Sequence, residues 1–130
     1  MKNIYKVFIF SFLIFSIFFI GTGCKKIVEH KIVGTWSLVH VDNLHNTNND
    51  EWIFTDNKEV FFNTPSNYPY LDTGQYKIST SSGKKYVEIF QCRSDNDNNK
   101  YRIMKLNSRI MKLIIESNHG LTFFEFTKTK

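Results

Sequence analysis

The stretch Gly34-Thr35-Trp36-Ser37-Leu38-Val39-His40-Val41 sets the pattern that the rest of the chain repeats. It is rich in tryptophan, leucine, valine and threonine, which suit a pleated, half-buried strand. Because side chains alternate between the two faces of a strand, Trp36, Leu38 and His40 share one face. Gly34 allows a tight turn or the close approach of another backbone. We predict the first strand of a small antiparallel barrel, with Gly34 and Trp36 forming the plug at one end.

The residues that follow predict more strands of the same kind. Turn-forming residues recur about every 8–12 residues, which is the spacing expected of a sandwich or a barrel. The eight predicted strands cover residues 34–41, 51–55, 59–63, 74–79, 85–92, 101–106, 109–116 and 121–128. Beyond the N-terminal segment, the chain shows no convincing helical period. The sequence therefore predicts an all-β domain, and it leaves a closed barrel and a sandwich both open.

The N-terminal segment has the pattern of a secretory signal peptide. Lys2 and Lys6 provide positive charge, and residues 7–20 form an apolar run that is interrupted only by two serines. A transmembrane anchor is the alternative, but a membrane span needs about 20 apolar residues and this run is shorter. We therefore expect residues 1–23 to be a cleaved signal helix.

The segment Gly21-Thr22-Gly23-Cys24 resembles a bacterial lipobox, although Gly21 replaces the aliphatic residue that is usual at its position. The resemblance implies that Cys24 receives lipid, becomes the new N-terminus and holds the protein to a membrane. It also implies a bacterial lipoprotein of the cell envelope. In lipoproteins of some Gram-negative bacteria, an aspartate directly after the lipidated cysteine retains the protein in the inner membrane. Lys25 stands at that position here, so the resemblance implies the outer membrane, facing the periplasm, if the cell is Gram-negative.

Composition limits what the mature chain can be. Removing Lys2 and Lys6 lowers the formal net charge from +5 to +3, which is too small for a nucleic-acid-binding protein. We expect residues 24–31 to form a tether and residues 32–130 to form one domain. If Cys24 carries lipid, Cys92 has no partner for a disulfide, and we expect it to be buried as a small apolar residue.

Short apolar alternations in these strands resemble the lipocalin-like domains of bacterial lipoproteins, over roughly residues 32–128. The motifs are Gly34-x-Trp36, Gly74-x-Tyr76-x-Ile78, Tyr101-x-Ile103, Met111-x-Leu113 and Phe124-x-Phe126-x-Lys128. The resemblance implies an eight-stranded up-and-down barrel. Longer lipocalins carry an arginine near the chain end that packs over the tryptophan. This chain has no arginine after Arg109, and Lys128 is the nearest substitute.

An eight-stranded barrel holds either its own side chains or one small ligand. We predict an open mouth lined by Trp52, Phe54 and Tyr76 and rimmed by Tyr68 and Tyr70, which binds a small hydrophobic or amphipathic molecule. The alternative is a filled barrel that acts as a protein-interaction module, a scaffold or an inhibitor, and presents loops such as residues 64–72 to a partner.

The sequence does not favour an enzyme. His40 and His45 lack a recognised zinc spacing, and no serine lies in a nucleophile-elbow motif. Cys92 has only Arg93 beside it to activate a thiolate. We therefore expect no catalytic residues, no metal and no cofactor.

Overall fold

The structure is a computed structural model that describes the backbone of residues 20–41, 50–64, 70–118 and 120–130. Side chains are described from Lys25 onward within those ranges, Tyr70 excepted. One helix, eight strands and a single 3-10 turn at Asp95–Asp97 lie within them. The helix and strands are α1 Ile20–Ile32, β1 Gly34–Val41, β2 Glu51–Phe54, β3 Glu59–Thr64, β4 Tyr70–Ser81, β5 Lys84–Phe90, β6 Lys100–Leu106, β7 Ile110–Ser117 and β8 Gly120–Lys128.

The eight strands form a closed antiparallel barrel in chain order, and β8 pairs with β1 to complete the circle. Trp36 lies opposite Trp52 on one neighbouring strand and opposite Lys128 on the other. The predicted up-and-down barrel is confirmed, and the sandwich alternative is excluded. A closed barrel leaves no edge strand with unpaired backbone groups.

The barrel interior is built by the alternation of side chains along each strand. Inward-facing residues are buried and their neighbours are more exposed, as in the pairs Trp52 and Phe54 on β2 and Val60 and Phe62 on β3. Burying each large apolar side chain contributes about 1.5–3 kcal/mol before the entropic cost of ordering it. The core therefore runs through the barrel axis rather than along one sheet face.

Because consecutive strands run in opposite directions, the connections lie alternately at two ends of the barrel. We call the end that holds α1, Gly34 and Lys128 the closed end. We call the end that holds Val41 and Thr64 the open end. The loops of residues 42–49 and 65–69 leave from the open end, and both lie outside the described residues.

Residues 24–31, which the sequence predicts to form a tether, are helical in α1. Val28 and Ile32 stand four residues apart on one helix face, and both are buried in the barrel core. Glu29 forms an ion pair with Lys58 at 3.5 Å, on the turn between β2 and β3. The C-terminal half of α1 therefore packs on the closed end of the barrel.

Among the described residues, no helix is both long enough and apolar enough to cross a bilayer.

β4 is longer than the sequence pattern predicted, because it begins at Tyr70 rather than at Gly74. The added residues pair with β3, with Asp72 opposite Phe62. Asp72 points inward and is 4% exposed. A carboxylate on the buried face hides the apolar alternation, which is why the pattern was interpreted as a loop.

Three strands share a polar cluster on the outer surface around Glu88. Its carboxylate accepts a hydrogen bond from the Ser79 hydroxyl at 2.6 Å, and it contacts the ammonium groups of Lys77 at 2.9 Å and Lys100 at 3.2 Å. The hydrogen bond from Ser79 and the two lysines lower the pKa of Glu88 to about 2. The folded state therefore favours the ionised carboxylate more than the unfolded chain does.

Replacing Glu88 by glutamine is expected to weaken the pH dependence of stability. A lowered folded-state pKa contributes stability that is present above the ordinary value and is lost as the pH falls toward about 2. We expect a loss of about 1 kcal/mol at pH 7, because solvent screens a carboxylate near the surface. Urea denaturation at pH 7, 5 and 3 should show the two proteins converging as the pH falls. A constant difference, or an equal effect of Glu59→Gln, would contradict the assignment.

Candidate functional site

Trp36 fills the closed end of the barrel. Its side chain is completely buried, and its indole N–H donates a hydrogen bond to the carbonyl oxygen of Ile32 at 2.7 Å. The Lys128 ammonium lies 5.1 Å from the centre of the indole ring. A cation over an indole face is attracted by the negative face of the ring. Lys128, the nearest substitute for the missing arginine near the chain end, therefore lies over the Trp36 ring.

Gly34 is required by the path of the Lys128 side chain. The Lys128 ammonium donates to the carbonyl oxygen of Val33 at 2.6 Å, so its aliphatic stem crosses Gly34. A Cβ at position 34 would collide with that stem and with the carbonyl oxygen of Lys130. Gly34 also has a φ of +135°, which side chains rarely allow. The Gly-x-Trp motif is therefore explained by packing at the closed end.

Phe54 and Tyr76 lie inside the barrel and not at an open mouth. Each is 1% exposed, and their rings meet edge to face with centroids 5.0 Å apart. The Tyr76 hydroxyl donates to the carbonyl oxygen of Thr55 at 2.8 Å. Burial, followed by the nearby charges of Asp56 and Glu29, raises the pKa of Tyr76 to about 12. These two predicted ligand-binding residues belong to the filled half of the barrel near α1.

A cleft of about 380 Å³ opens at the other end of the barrel. Its described walls combine large apolar side chains with carboxylates, an amide and hydroxyls. They are Leu38, Val41, Asp50, Glu51, Trp52, Phe62, Asn63, Thr64, Asp97, Thr122 and Phe124. Of the predicted lining residues Trp52, Phe54 and Tyr76, it is Trp52 that lines this cleft.

Trp52 is the centre of the aromatic group at the base of this cleft. Its ring centroid lies 5.0 Å from that of Phe62, 6.2 Å from that of Phe124 and 4.8 Å from that of Phe126. Tyr101 packs edge to face against the same indole at 5.3 Å. Phe62 was within reach of sequence reasoning, because the β2–β3 hairpin pairs it with Trp52.

The two predicted rim tyrosines cannot be located. Tyr68 lies outside the described residues, as does the side chain of Tyr70, whose backbone begins β4. Tyr68 belongs to the connection that follows Thr64, whereas the backbone of Tyr70 pairs with Thr64, which lines the cleft. Their role in the site stays a prediction.

The polar side of the cleft carries carboxylates. Glu51 accepts a hydrogen bond from the Asn63 amide at 3.4 Å. Asp50 differs, because its Oδ1 atom is buried and has no hydrogen-bond partner among the residues that the structure describes. Its backbone carbonyl oxygen accepts a bond from the Leu38 amide at 2.8 Å, which fixes the residue beside β1. Asp50, a residue that lines the cleft, thus has a buried carboxylate oxygen that lacks the donor a buried polar atom ordinarily has.

The loop of residues 91–99 forms another part of the open end, and Asp72 holds it in place. The Asp72 carboxylate accepts hydrogen bonds from the backbone amides of Arg93 at 3.1 Å and Ser94 at 2.9 Å. It also accepts one from the amide of Thr73 at 2.7 Å. Asp97 at the end of the 3-10 turn reaches the cleft from this loop.

Cys92 lies in the same loop and is buried, as predicted. Burial, then the charges of Asp72 and Asp97, raises the pKa of its thiol to about 11. Its sulfur fills the space beside Gly74, where an added Cβ would collide with it. The high pKa disfavours the thiolate, so Cys92 acts as a packing residue and Gly74 is the residue that makes room for it.

In the described ranges, no three histidine, cysteine, aspartate or glutamate residues lie close enough together to hold a metal ion. His40 is exposed on β1, whereas His45 and the side chain of His119 fall outside those ranges.

Comparison with known proteins adds one match. A family model described as a lipocalin-like domain matches residues 32–113, which is more than half of the 130-residue chain. The match begins at the end of α1 and extends into β7. Searches of curated proteins and of solved structures found no match.

Proposed function

Because the chain belongs to the lipocalin-like domain family, we propose that it binds a small hydrophobic or amphipathic molecule in the cleft at the open end of its barrel. The observation that carries this proposal is the cleft of about 380 Å³ with Trp52, Phe62 and Phe124 at its base. Small-molecule sites are concave, largely apolar and about 300–1,000 Å³ in volume, with a few polar groups that orient the ligand. The family generally consists of binding proteins, and we propose no catalytic role.

The same proposal includes a lipid anchor on Cys24. α1 packs on the closed end through Val28 and Ile32, so its attachment to the barrel lies opposite the cleft. A membrane attached through Cys24 would therefore leave the cleft accessible from the aqueous side. The anchor would hold the protein at the bacterial cell envelope, on the periplasmic face of the outer membrane in a Gram-negative cell.

Native mass spectrometry of the full chain, released from detergent, tests the binding function. We expect a bound molecule of lipid-like or smaller mass that remains at low collision energy and is lost at high energy. Trp52→Ala enlarges and reshapes the base of the cleft and should lower the bound fraction several-fold. Val39→Ala, on the outer surface, should not change it. A ligand-free mass in repeated preparations would contradict the proposal.

Cys24→Ala is expected to abolish incorporation of radioactive palmitate in growing bacteria, because the thiol that receives the lipid is gone. The wild-type chain should be labelled, and Cys92→Ala should be labelled to the same extent. Labelling that persists in Cys24→Ala would refute the lipid anchor while leaving the binding proposal intact.

A protein-interaction role is the second candidate, and one surface favours it. Val39, Leu121 and Phe123 lie on the adjoining strands β1 and β8 and are 50%, 52% and 42% exposed. Exposed apolar groups of this kind occur at protein contacts. If this candidate is correct, Phe123→Ser should abolish a complex recovered by cross-linking in cells, and Trp52→Ala should leave it unchanged.

A further inference from the structure

We propose that the ligand of this cleft carries a cationic amine head, and that Asp50 is the residue that binds it. This inference rests on the proposed binding function and specifies the chemical class of the ligand. The walls of the cleft separate into two parts. Trp52, Phe62 and Phe124 provide an apolar base, while the carboxylates lie on strand and loop residues beside it.

Asp50 has a carboxylate oxygen whose hydrogen-bonding capacity is unsatisfied. Its Oδ1 atom is the one buried side-chain nitrogen or oxygen in the described chain that has no hydrogen-bond partner. Leaving a buried acceptor unsatisfied is costly, and the cost is larger for a charged group. Because Asp50 lines the cleft, we infer that its carboxylate turns toward a bound ligand, which then supplies the missing donor. An ammonium group offers both the proton donor and the opposite charge.

The charged side chains on the described walls of the cleft are all acidic. Asp50, Glu51 and Asp97 line the cleft, and none of its described lining residues is a lysine or an arginine. The two loops that follow Val41 and Thr64 contain no lysine or arginine either. Residues 42–49 contribute Asp42 and no lysine or arginine, and residues 65–69 contain no charged residue. The hydrogen bond from Asn63 to Glu51 leaves that carboxylate charge uncompensated.

This charge distribution selects between classes of amphiphile. A fatty acid or a phosphate monoester would bring an anion against carboxylates, and like charges repel strongly at short range in a partly desolvated site. A neutral alcohol would gain the apolar contacts but only a neutral hydrogen bond to Asp50. A primary alkylamine gains both the apolar contacts and an ion pair. The expected ligand is therefore an amine with an apolar chain or ring.

The test compares three eight-carbon ligands that differ only in their head groups. Octylamine, 1-octanol and octanoate are titrated into the full chain in one nonionic detergent at pH 7, and tryptophan fluorescence is recorded. The decisive quantity is the ratio of wild-type to Asp50→Asn affinity for each ligand, because partitioning into the detergent is the same for both proteins. We expect about a tenfold loss for octylamine, less than twofold for 1-octanol and no loss for octanoate.

Two further variants distinguish the loss of a charge in the cleft from misfolding of the Asp50→Asn protein. Asp97→Asn should also weaken octylamine binding, whereas Asp95→Asn, exposed on the same loop, should not. If all three ligands bind and Asp50→Asn changes none of them selectively, the amine proposal is overturned and the binding function stands. Tighter binding of octanoate than of octylamine to the wild-type chain also overturns it. If no ligand changes the fluorescence of the wild-type chain, the binding function fails as well.

Discussion

Trp36→Ala is expected to lower the free energy of unfolding by about 4 kcal/mol, which is a large share of the stability of a small domain. The substitution removes the largest fully buried side chain and leaves a cavity between β1 and α1. It also leaves the Ile32 carbonyl oxygen without the indole N–H, and it removes the ring beneath the Lys128 ammonium. Urea denaturation followed by far-ultraviolet circular dichroism measures the loss without relying on tryptophan emission.

Two controls divide this effect into its parts. Trp36→Phe keeps an aromatic ring but loses the hydrogen bond to Ile32, and we expect roughly half of the full loss. Leu121→Ala truncates a side chain that is 52% exposed and should cost less than about 0.5 kcal/mol. If Trp36→Ala and Leu121→Ala proved equally mild, Trp36 would not be the residue that closes the barrel.

The strands could be predicted because alternation and turn residues act locally. Trp52 and Phe54 stand two residues apart, so the sequence alone places them on one face. Both are indeed inside the barrel. The alternation of side chains does not show how deep along the barrel axis each of them lies. Trp52 therefore reaches the cleft, whereas Phe54 is covered by Tyr76 and cannot line a mouth.

The C-terminal half of α1 was not predicted from the sequence, for a different reason. Residues 25–31 contain lysines and a glutamate that look like a solvated tether, and two turns are too few for a convincing period. The spacing of Val28 and Ile32 was the available signal. Their burial depends on the closed end of the barrel, a tertiary contact that no local pattern contains.

The candidate site depends on residues brought together from distant parts of the chain. Asp50 and Asp97 lie 47 positions apart in the sequence, and neither belongs to a recognisable motif. Their common cleft exists because β2 and the loop of residues 91–99 reach the same end of the barrel. The missing hydrogen-bond partner of Asp50 is likewise a property of the fold and leaves no trace in the sequence.

Asp72→Ala is the second substitution for which we expect a large effect, and it connects the fold to the cleft. The change leaves the backbone amides of Thr73, Arg93 and Ser94 without their carboxylate acceptor. Hydrogen bonds to a charged group contribute about 1.5–3 kcal/mol each, but the loop amides can regain water. We therefore expect a total loss of about 3 kcal/mol in urea denaturation. Hydrogen exchange at Arg93 and Ser94 should become faster by at least tenfold.

Asp72→Asn keeps the shape of the side chain but removes its negative charge, so it shows how much of the lost stability depends on the charge. The asparagine oxygen can accept one or two of these bonds, but its amide nitrogen is a donor and would face the Ser94 N–H. We expect the asparagine variant to recover less than half of the lost stability, whereas the exposed Asp95→Ala should cost almost nothing. Because Asp97 follows Ser94 on the same loop, loosening the loop should also weaken binding in the cleft. Unchanged amide exchange in Asp72→Ala would mean that Asp72 does not hold the loop and that the loop's other hydrogen bonds, such as the one from the Cys92 amide to Asn98, are sufficient.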